Sequence, residues 1–454
     1  MTGRRPLLTA MAVLALLAVA CAGDRDEPAP PVDDTEVEQD PTKAPAPAPD
    51  PEPPAAPQEP EPSEPTEPAA PPAPPDPSEP TAREELRAVW VHLFDSSLKS
   101  RAGIGQLVDE LVAADATAVI AQVARRHDAY YRSEVLPATA DPDLEPGLDV
   151  LEELTRAAHA AGLEVHAWIS VAPTWHAVYE DLPAPHGWIP AEHGRRAPEA
   201  DRWVSRTRDG GWTEYLDPAL PEVREHLAAI VTELASTTAV DGIHLDYVRY
   251  ETQHSGYHPA ALARYRSETG ATGTPAVDDP GWSQWRRDQT RGLLDHARGA
   301  LDATGRDMEL SAAVITWGPG PSASGGFDAT RTATEALQDW PAWVRDGAVD
   351  TVLPMNYFRA HVPEQAGWFL DWLAFEGQLA ADHHARVAPG IGGWLNQPAG
   401  TLAQLGAALE AADGAAIYSY QQPAEDAAID PDARRIRPFW REVATSNWGA
   451  ERSG

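Results

Sequence analysis

From residue 84 onward, short apolar runs alternate regularly with longer amphipathic runs, and this alternation constrains the fold most strongly. Near-continuous apolar strands that alternate with helices are typical of a parallel sheet covered by helices on its faces. Eight such repeats predict a (β/α)8 barrel, the TIM barrel, over residues 84–454. The predicted strands are Leu86–Leu93, Thr117–Ala124, Leu163–Val171, Val240–Asp246, Glu309–Thr316, Val349–Met355, Arg386–Ile391 and Ala415–Tyr420. The predicted helices are Ile104–Asp115, Gly147–Ala161, Pro221–Thr237, Gly281–Ala303, Thr332–Asp346, Glu364–Leu379 and Leu402–Ala412.

A doubly wound open sheet is the main competing architecture. Its nucleotide-binding version carries a G-x-G-x-x-G motif after the first strand, and no such motif follows here. The spacings H-x-H and H-E-x-x-H, which are typical of metal sites, are also missing from the sequence. We therefore favour the barrel, and we predict neither a cofactor nor a metal.

Residues 1–20 have the features of a signal peptide. Two arginines precede the apolar run Pro6–Val19, which is too short to span a bilayer. Cys21 is the single cysteine, and the small residues before it resemble a bacterial lipobox. We expect Cys21 to be lipidated, so that the exported chain is anchored on the outer face of the cytoplasmic membrane.

Residues 21–83 are a low-complexity stretch of Pro, Ala, Glu and Asp, which predicts a disordered, acidic, Pro-rich tether. The whole chain has a formal net charge of −35. Nucleic acids and anionic membrane surfaces both require a basic face, so this charge argues against either as a partner. We expect membrane attachment only through the lipid on Cys21.

Polar and aromatic residues occupy nearly every predicted strand end. In a barrel enzyme the active site is built from the carboxyl ends of the strands and the loops that follow them. Tryptophan rings, of which this chain has 16, can stack on sugar faces, so a polysaccharide is the expected substrate. The candidate substrate-binding residues are His92, Gln122, His166, Trp168, His244, Tyr247, Arg249, Trp317, Asn356, Tyr357, Trp394 and Tyr420.

Asp246 in the segment DGIHLDYVRY is the first candidate for a catalytic residue. Residues 244 and 246 point the same way on a strand, so His244 or Arg249 can keep the Asp246 carboxyl ionised. A carboxylate at a barrel mouth can attack an anomeric carbon or stabilise an oxocarbenium ion. Glycosidases generally need a second carboxyl, for which Asp128, Glu251 and Asp328 are candidates. An acetamido group on the sugar is an alternative to a protein nucleophile, and the sequence leaves this choice open.

Several blocks resemble the glycoside-hydrolase-like family 10: RAVWVHL at 87–93, EVHAWIS at 164–170 and DGIHLDYVRY at 241–250. The resemblance implies a barrel of glycosidase type in a bacterial envelope protein, often a lipoprotein, with cell-wall glycans as substrates. The last block is also similar to the fourth-strand motif of alpha-amylase-type barrels. That similarity implies that Asp246 is the nucleophile and His244 the group that orients it.

The leading hypothesis is therefore a glycoside hydrolase that cleaves an envelope glycan, with peptidoglycan glycan strands as the expected substrate. The main alternative is a non-catalytic barrel that binds glycan or scaffolds envelope partners. It is favoured by the end of the fifth predicted strand and the loop that follows, AAVITWGPG at 312–320, which carry no carboxyl. A metal-dependent hydrolase or carbohydrate deacetylase is a third possibility, disfavoured by the poor spacing of ligands.

Overall fold

The computed structural model describes residues 85–94, 96–174, 186–424, 436–446 and 448. The predicted signal peptide, Cys21 and the predicted tether lie outside the described residues, so their structure stays a prediction. In the described ranges, no helix combines the length and the apolar character that crossing a membrane requires.

The strands of the described chain form a closed parallel barrel and one separate hairpin. They are β1 (Leu86–Val91), β2 (Ala118–Ala124), β3 (Glu164–Ser170), β4 (Val204–Arg206), β5 (Trp212–Leu216), β6 (Gly242–Asp246), β7 (Glu309–Ile315), β8 (Thr351–Asn356), β9 (Arg386–Val387), β10 (Gly390–Gly392) and β11 (Gly414–Tyr418). The barrel order is β10-β11-β1-β2-β3-β6-β7-β8-β9, and β10 also pairs with β8 to close the ring. Because β9 and β10 share one position, the barrel has eight positions and the predicted (β/α)8 fold is confirmed. The antiparallel hairpin β4–β5 lies in the connection from β3 to β6.

Helices connect the barrel strands. They are α1 (Arg101–Ala113), α2 (Val150–Ala160), α3 (Ile189–Glu192), α4 (Pro221–Thr237), α5 (Pro259–Thr269), α6 (Pro280–Thr304), α7 (Pro321–Ser324), α8 (Trp340–Arg345), α9 (Pro363–Asp382), α10 (Pro398–Ala411) and α11 (Ile436–Thr445). The sequence explains why α2 begins where it does, since the Asp149 side chain caps it by accepting the Glu152 N–H. Its apolar face, which includes Leu151 and Leu154, is buried.

Two apolar clusters hold the barrel together. The larger one lies between the strands and the surrounding helices. The smaller one fills the barrel interior and includes Trp90, Ile120, Trp168 and Leu353. All seven residues of β2 are buried, as expected for a strand covered on both faces. The interior is therefore a packed core, and a binding site is possible only at one of its ends.

The predicted helix Thr332–Asp346 is wrong as a single element. Residues Thr332–Ala336 form a turn of π-helical geometry, Leu337 then has a left-handed backbone (φ 55°), and α8 begins afresh at Trp340. The Asp339 side chain caps α8, and its second residue, Pro341, has no N–H to continue a preceding helix. Helix α5 and the hairpin β4–β5 were not predicted.

Candidate active site

A cleft of about 720 Å³, including its open mouth, lies at the carboxyl ends of the barrel strands. Eight of its lining residues are among the predicted site residues: Gln122, Trp168, Asp246, Tyr247, Arg249, Trp317, Tyr357 and Trp394. The other lining residues are Trp90, Phe94, Ala313, Ile315, Met355 and Tyr418. Aromatic rings therefore dominate the walls of the cleft.

Asp246, the last residue of β6, supplies the one carboxyl among these lining residues of the described chain. It is 7% exposed, and its Oδ1 accepts the backbone N–H of Tyr247 at 2.7 Å. Burial raises the pKa of Asp246 to about 6, while the Tyr247 N–H, Arg249 and the Trp168 indole each act to lower it. The Trp168 N–H makes no hydrogen bond of standard geometry, so we regard its effect as weaker than that of the Tyr247 N–H. This carboxyl changes charge close to neutral pH.

Arg249 is buried and held by aromatic faces beside Asp246. Its guanidinium carbon lies 5.1 Å from the ring centre of Tyr247, 5.5 Å from that of Tyr215 and 5.4 Å from that of Trp317. Its Nη1 donates to the Tyr250 carbonyl at 3.1 Å. A cation fixed in this way stabilises negative charge in the cleft without needing to reorganise.

Glu251 lies next to the same arginine but does not line the cleft. The side chain is half-buried, and burial raises its pKa, with Arg249 acting in the opposite direction and Glu214 adding to the rise. Burial raises the pKa of Tyr215, and the charges of Glu251 and Asp246 add to that rise, so this phenol interacts with both carboxyls. The structure thus brings Asp246, Arg249 and Glu251 into one electrostatic group.

The family to which this chain belongs is shown by its sequence. The model of the family described as "Glycosyl hydrolase-like 10" matches residues 85–374. The chain belongs to the Glycosyl hydrolase-like 10 family. The match covers the strands from β1 to β8, and therefore includes Asp246, Arg249 and Glu251.

Curated relatives share the family sequence over part of their length. "Glycosyl hydrolase DigH" of Escherichia coli strain K12 is 26% identical over 280 residues, which is 58% of this chain and 61% of the relative. The same values hold for the protein of that name in Shigella flexneri. The chain therefore spans about three fifths of the length of these curated relatives.

Solved structures share the barrel. The PgaB (BpsB) glycoside hydrolase domain from Bordetella bronchiseptica has a TM-score of 0.54 at 18% identity, covering 79% of this chain and 99% of that domain. The catalytic domain of beta-amylase from Paenibacillus polymyxa has a TM-score of 0.56 at 11% identity, covering 80% and 100%. At these identities the likeness shows the fold alone. The family match supports a hydrolase that acts on glycans.

In this Glycosyl hydrolase-like 10 member, His244 does not orient Asp246, and that expectation is wrong. The His244 Nε2 accepts the indole N–H of Trp90 at 3.1 Å, and its Nδ1 donates to Ser311 Oγ at 2.9 Å. Burial lowers the pKa of His244 to about 3, so the ring is neutral. Residues two apart on a strand are separated by about 6.6 Å along it, which places His244 one layer below the cleft.

His166 lies lower still in the barrel interior. It is the third residue of β3, and its Nε2 is 3.5 Å from the carboxylate of Glu164 near the start of the strand. A Cβ on Gly242 of the neighbouring strand would lie 2.4 Å from the His166 Nδ1, so glycine is required there. The prediction that His166 lines the substrate site is wrong, because the residue faces inward at the opposite end of the barrel.

Asn356 and Tyr420 point away from the cleft, contrary to prediction. Asn356 donates to Glu376 on α9, outside the barrel wall. The Tyr420 hydroxyl donates to Glu110 on α1 at 2.8 Å. Side chains alternate between the two faces of a strand, so the cleft-facing neighbour of Asn356 is Met355.

Three further predicted residues lie outside the cleft lining. His92 is buried behind it, where its Nδ1 accepts the Phe94 N–H at 3.2 Å. Asp128 is fully buried, and its Oδ2 accepts from Arg126 Nε at 3.1 Å in an ion pair. Asp328 is exposed in a short turn after β7. The position of Asp128 in a buried ion pair gives no support to a catalytic role.

The sequence analysis missed Tyr418 and did not assign Trp90 to the site. The ring centre of Tyr418 lies 5.4 Å from that of Trp394 and 5.6 Å from that of Tyr357. Trp90 forms part of the cleft floor and bonds to His244 from there. Strand parity alone did not separate Tyr418 from Tyr420, two positions later, because the regular strand β11 ends at Tyr418 and the alternation of side chains does not continue to Tyr420. No three His, Cys, Asp or Glu side chains within the described ranges converge in a way that could hold a metal ion.

Proposed function

We propose that this chain hydrolyses glycosidic bonds in a bacterial envelope glycan, and that its substrate is the glycan strand of peptidoglycan. The observation that carries the proposal is the position of Asp246, a buried carboxyl at the mouth of the barrel among aromatic rings. Aromatic faces stack on the C–H faces of sugars, and a buried carboxylate beside them can react at the anomeric carbon.

The reacting form of Asp246 in this proposal is the carboxylate. Two groups favour that form, the Tyr247 N–H at 2.7 Å and the charge of Arg249. The carboxylate attacks the anomeric carbon while the bond to the leaving oxygen breaks. Trp168, Tyr357 and Trp394 line the same cleft, where their rings can pack against the sugar.

Glu251 is the proposed acid and base. Burial raises the pKa of Glu251, which favours the protonated form that an acid needs, and Arg249 acts on the pKa of Glu251 as it does on that of Asp246. In the first step its proton passes to the leaving oxygen. In the second step it takes a proton from water, whose oxygen attacks the anomeric carbon and releases Asp246.

The proposed location is the cell envelope. The apolar run before Cys21 supports a lipid anchor on that residue, and the Pro-rich stretch after it supports a long tether. An anchored barrel on such a tether would reach glycan some distance from the outer face of the cytoplasmic membrane. Relatives named "Glycosyl hydrolase DigH" and a neighbour described as a glycoside hydrolase domain support the reaction class.

A second candidate function is a barrel that binds glycan without cleaving it. One observation favours it: of the carboxyls in the described chain, Asp246 alone lines the cleft, whereas cleavage by the usual routes needs two. Such a protein would retain the aromatic walls and bind the same polymer.

The deciding experiment incubates the purified full chain with intact peptidoglycan, with peptide-stripped glycan strands and with other bacterial glycans. Mass spectrometry then follows the soluble products. We expect sugar fragments from peptidoglycan strands, none with Asp246→Asn, and unchanged release with the matched control Asp288→Asn, an exposed aspartate on α6. Tight binding with no product from any glycan would refute hydrolysis and establish the binding protein.

A further inference from the structure

An unusual pair of side chains lies on the outer side of the barrel wall. Asn356, the last residue of β8, donates from Nδ2 to Oε2 of Glu376 on α9 at 2.7 Å. Both side chains are 0% exposed. The second oxygen of each group, Oδ1 of Asn356 and Oε1 of Glu376, accepts no hydrogen bond from any described residue.

An ionised Glu376 would make this arrangement unfavourable. Carboxylate and amide oxygens only accept hydrogen bonds, so two buried acceptors would stay unsatisfied beside an uncompensated charge. In a coplanar pair the two second oxygens face each other. One proton on Oε1 turns it into a donor that can bond to Oδ1, which satisfies both oxygens and removes the charge.

We propose that Glu376 is a neutral carboxylic acid in the folded protein at neutral pH, and that its double hydrogen bond with Asn356 positions the cleft end of β8. The residues on either side of Asn356, Met355 and Tyr357, both line the cleft. The acid–amide pair therefore fixes one wall of the cleft from outside the barrel.

The surroundings of Glu376 agree with a neutral acid. Burial raises the pKa of Glu376 to about 8, and among the described residues the hydrogen bond from Asn356 alone acts to lower it. The elements packed against α9 are α7, α8, α10, β8, β9 and the turn Phe327–Ala329, and neither α7 nor β8 carries a charged side chain. The charged residues of the others are Asp328, Arg345, Arg386 and Glu410, and α9 itself also carries Glu364, Asp371 and Asp382. None of these contributes to the pKa of Glu376.

The link to the cleft runs through the backbone of β8. The Met355 carbonyl accepts the Tyr357 N–H at 2.8 Å and the Thr316 hydroxyl at 2.7 Å. The Tyr357 ring then packs 4.9 Å from Trp394, centre to centre. Thr316 holds this segment from the neighbouring strand, and Asn356 holds it from the helix layer.

Glu376→Gln tests the protonation directly. The glutamine amide offers one N–H and one carbonyl to Asn356, so it copies the neutral acid without a titratable proton. The folded pKa of Glu376 lies above its ordinary value, so the proton stabilises wild type most fully below about pH 4.5. That contribution is lost as pH rises toward 8.

Denaturant unfolding between pH 5 and 9 measures this effect. We expect the unfolding constant of wild type to rise on the order of several hundred-fold more than that of Glu376→Gln across this range. Glu410→Gln, an exposed glutamate changed in the same way, should follow wild type. Parallel pH dependence in wild type and Glu376→Gln would overturn the proposal.

Infrared spectroscopy of wild type provides a measurement that no variant's folding can confound. A protonated carboxyl band should be present at pH 7, lose the intensity that Glu376 contributes in Glu376→Gln, and stay unchanged in Glu410→Gln. An identical band in wild type and Glu376→Gln, or no band in wild type, would show that Glu376 is ionised.

The positioning role rests on the proposed function and is tested by kinetics. Asn356→Ala should raise KM for glycan by roughly threefold to tenfold, through partial loss of Tyr357 stacking, and change kcat less. An unchanged KM would overturn the positioning role. If wild type cleaves no glycan, the proposed function fails, whereas the unfolding and infrared results still decide the protonation of Glu376.

Discussion

Two buried carboxyls lie on opposite sides of the barrel wall, Asp246 facing the cleft and Glu376 facing the helices. Burial raises the pKa of both, to about 6 for Asp246 and to about 8 for Glu376. The difference lies in their partners. Asp246 has a backbone N–H and Arg249 to stabilise its charge, whereas Glu376 has only the amide of Asn356. Both groups are buried, but because of these partners Asp246 can change charge near neutral pH whereas Glu376 stays neutral.

Removing the positive charge of Arg249 should abolish most of the difference in pKa between Asp246 and Glu376. In Arg249→Met the Asp246 carboxylate loses its nearest positive charge, so its pKa should rise and kcat should fall by about 100-fold. Arg249→Lys keeps the charge and should lose less activity. Steady-state kinetics on the glycan that wild type cleaves, with a melting curve for each variant, would measure this. An unchanged kcat in Arg249→Met would show that Arg249 does not stabilise the reacting charge.

Replacing Asp246 by a neutral residue should remove the free-energy cost of burying its charge, so that position 246, like Glu376, is neutral in the folded protein. The folded pKa of Asp246 lies above its ordinary value, so wild type loses stability as pH rises from about 4 to 6. Asp246→Asn removes that loss and should raise the free energy of unfolding at pH 8 by about 1–3 kcal/mol while activity disappears. Denaturant unfolding at pH 4 and pH 8 provides the comparison. A variant less stable than wild type at pH 8 would contradict the unfavourable burial of this charge.

The pH dependence of activity should follow Asp246 and not Glu376. If the carboxylate is the reacting form, kcat/KM should rise roughly tenfold between pH 5 and pH 7, and fall again at the higher pH where Glu251 loses the proton it must donate. A rate profile across this range, corrected for stability at each pH, would show it. A decrease through pH 6 would instead identify the protonated Asp246 as the reacting form, with its role as acid.

Two tyrosines at the end of β11 provide a smaller comparison of the same kind, since Tyr418 faces the cleft and Tyr420 faces the helices. Tyr418→Leu removes a cleft ring and should raise KM about fivefold, which is within the energy of one aromatic contact. Tyr420→Phe removes the hydrogen bond to Glu110 and should lower the free energy of unfolding by about 1 kcal/mol without changing KM. If Tyr420→Phe changed KM as Tyr418→Leu does, the assignment of the two faces would be wrong.

The barrel was predictable because its signal repeats eight times. Each apolar run is long enough for one strand, and each amphipathic run returns the chain to the start of the next parallel strand. The hairpin β4–β5 was not predictable by the same rule. Its strands are short and mix polar with apolar residues, as in Val204–Arg206, so they lack a continuous apolar run.

The sequence predicted which side chains of a strand point into the barrel better than it predicted how far below the cleft each of them lies. Side-chain parity places His244 and Asp246 inside the barrel, but their height depends on the stagger between strands. The register sets Trp168 level with His244, and Ser170 level with Asp246. No residue pattern within a single strand contains that offset. Asn356 and Tyr357 illustrate a different limit, since adjacent residues that both looked functional point in opposite directions.

Tyr247 has a left-handed backbone, with φ at 59°, where glycine is the preferred residue. A side chain in this conformation costs about 1–2 kcal/mol. The tyrosine ring nevertheless packs against Arg249 and Tyr215, and its N–H holds the Asp246 carboxylate. Selection for heat tolerance alone should therefore collect glycine at position 247. Selection for growth on the natural glycan should restore the aromatic ring, so the residue found there would record which demand a lineage has faced.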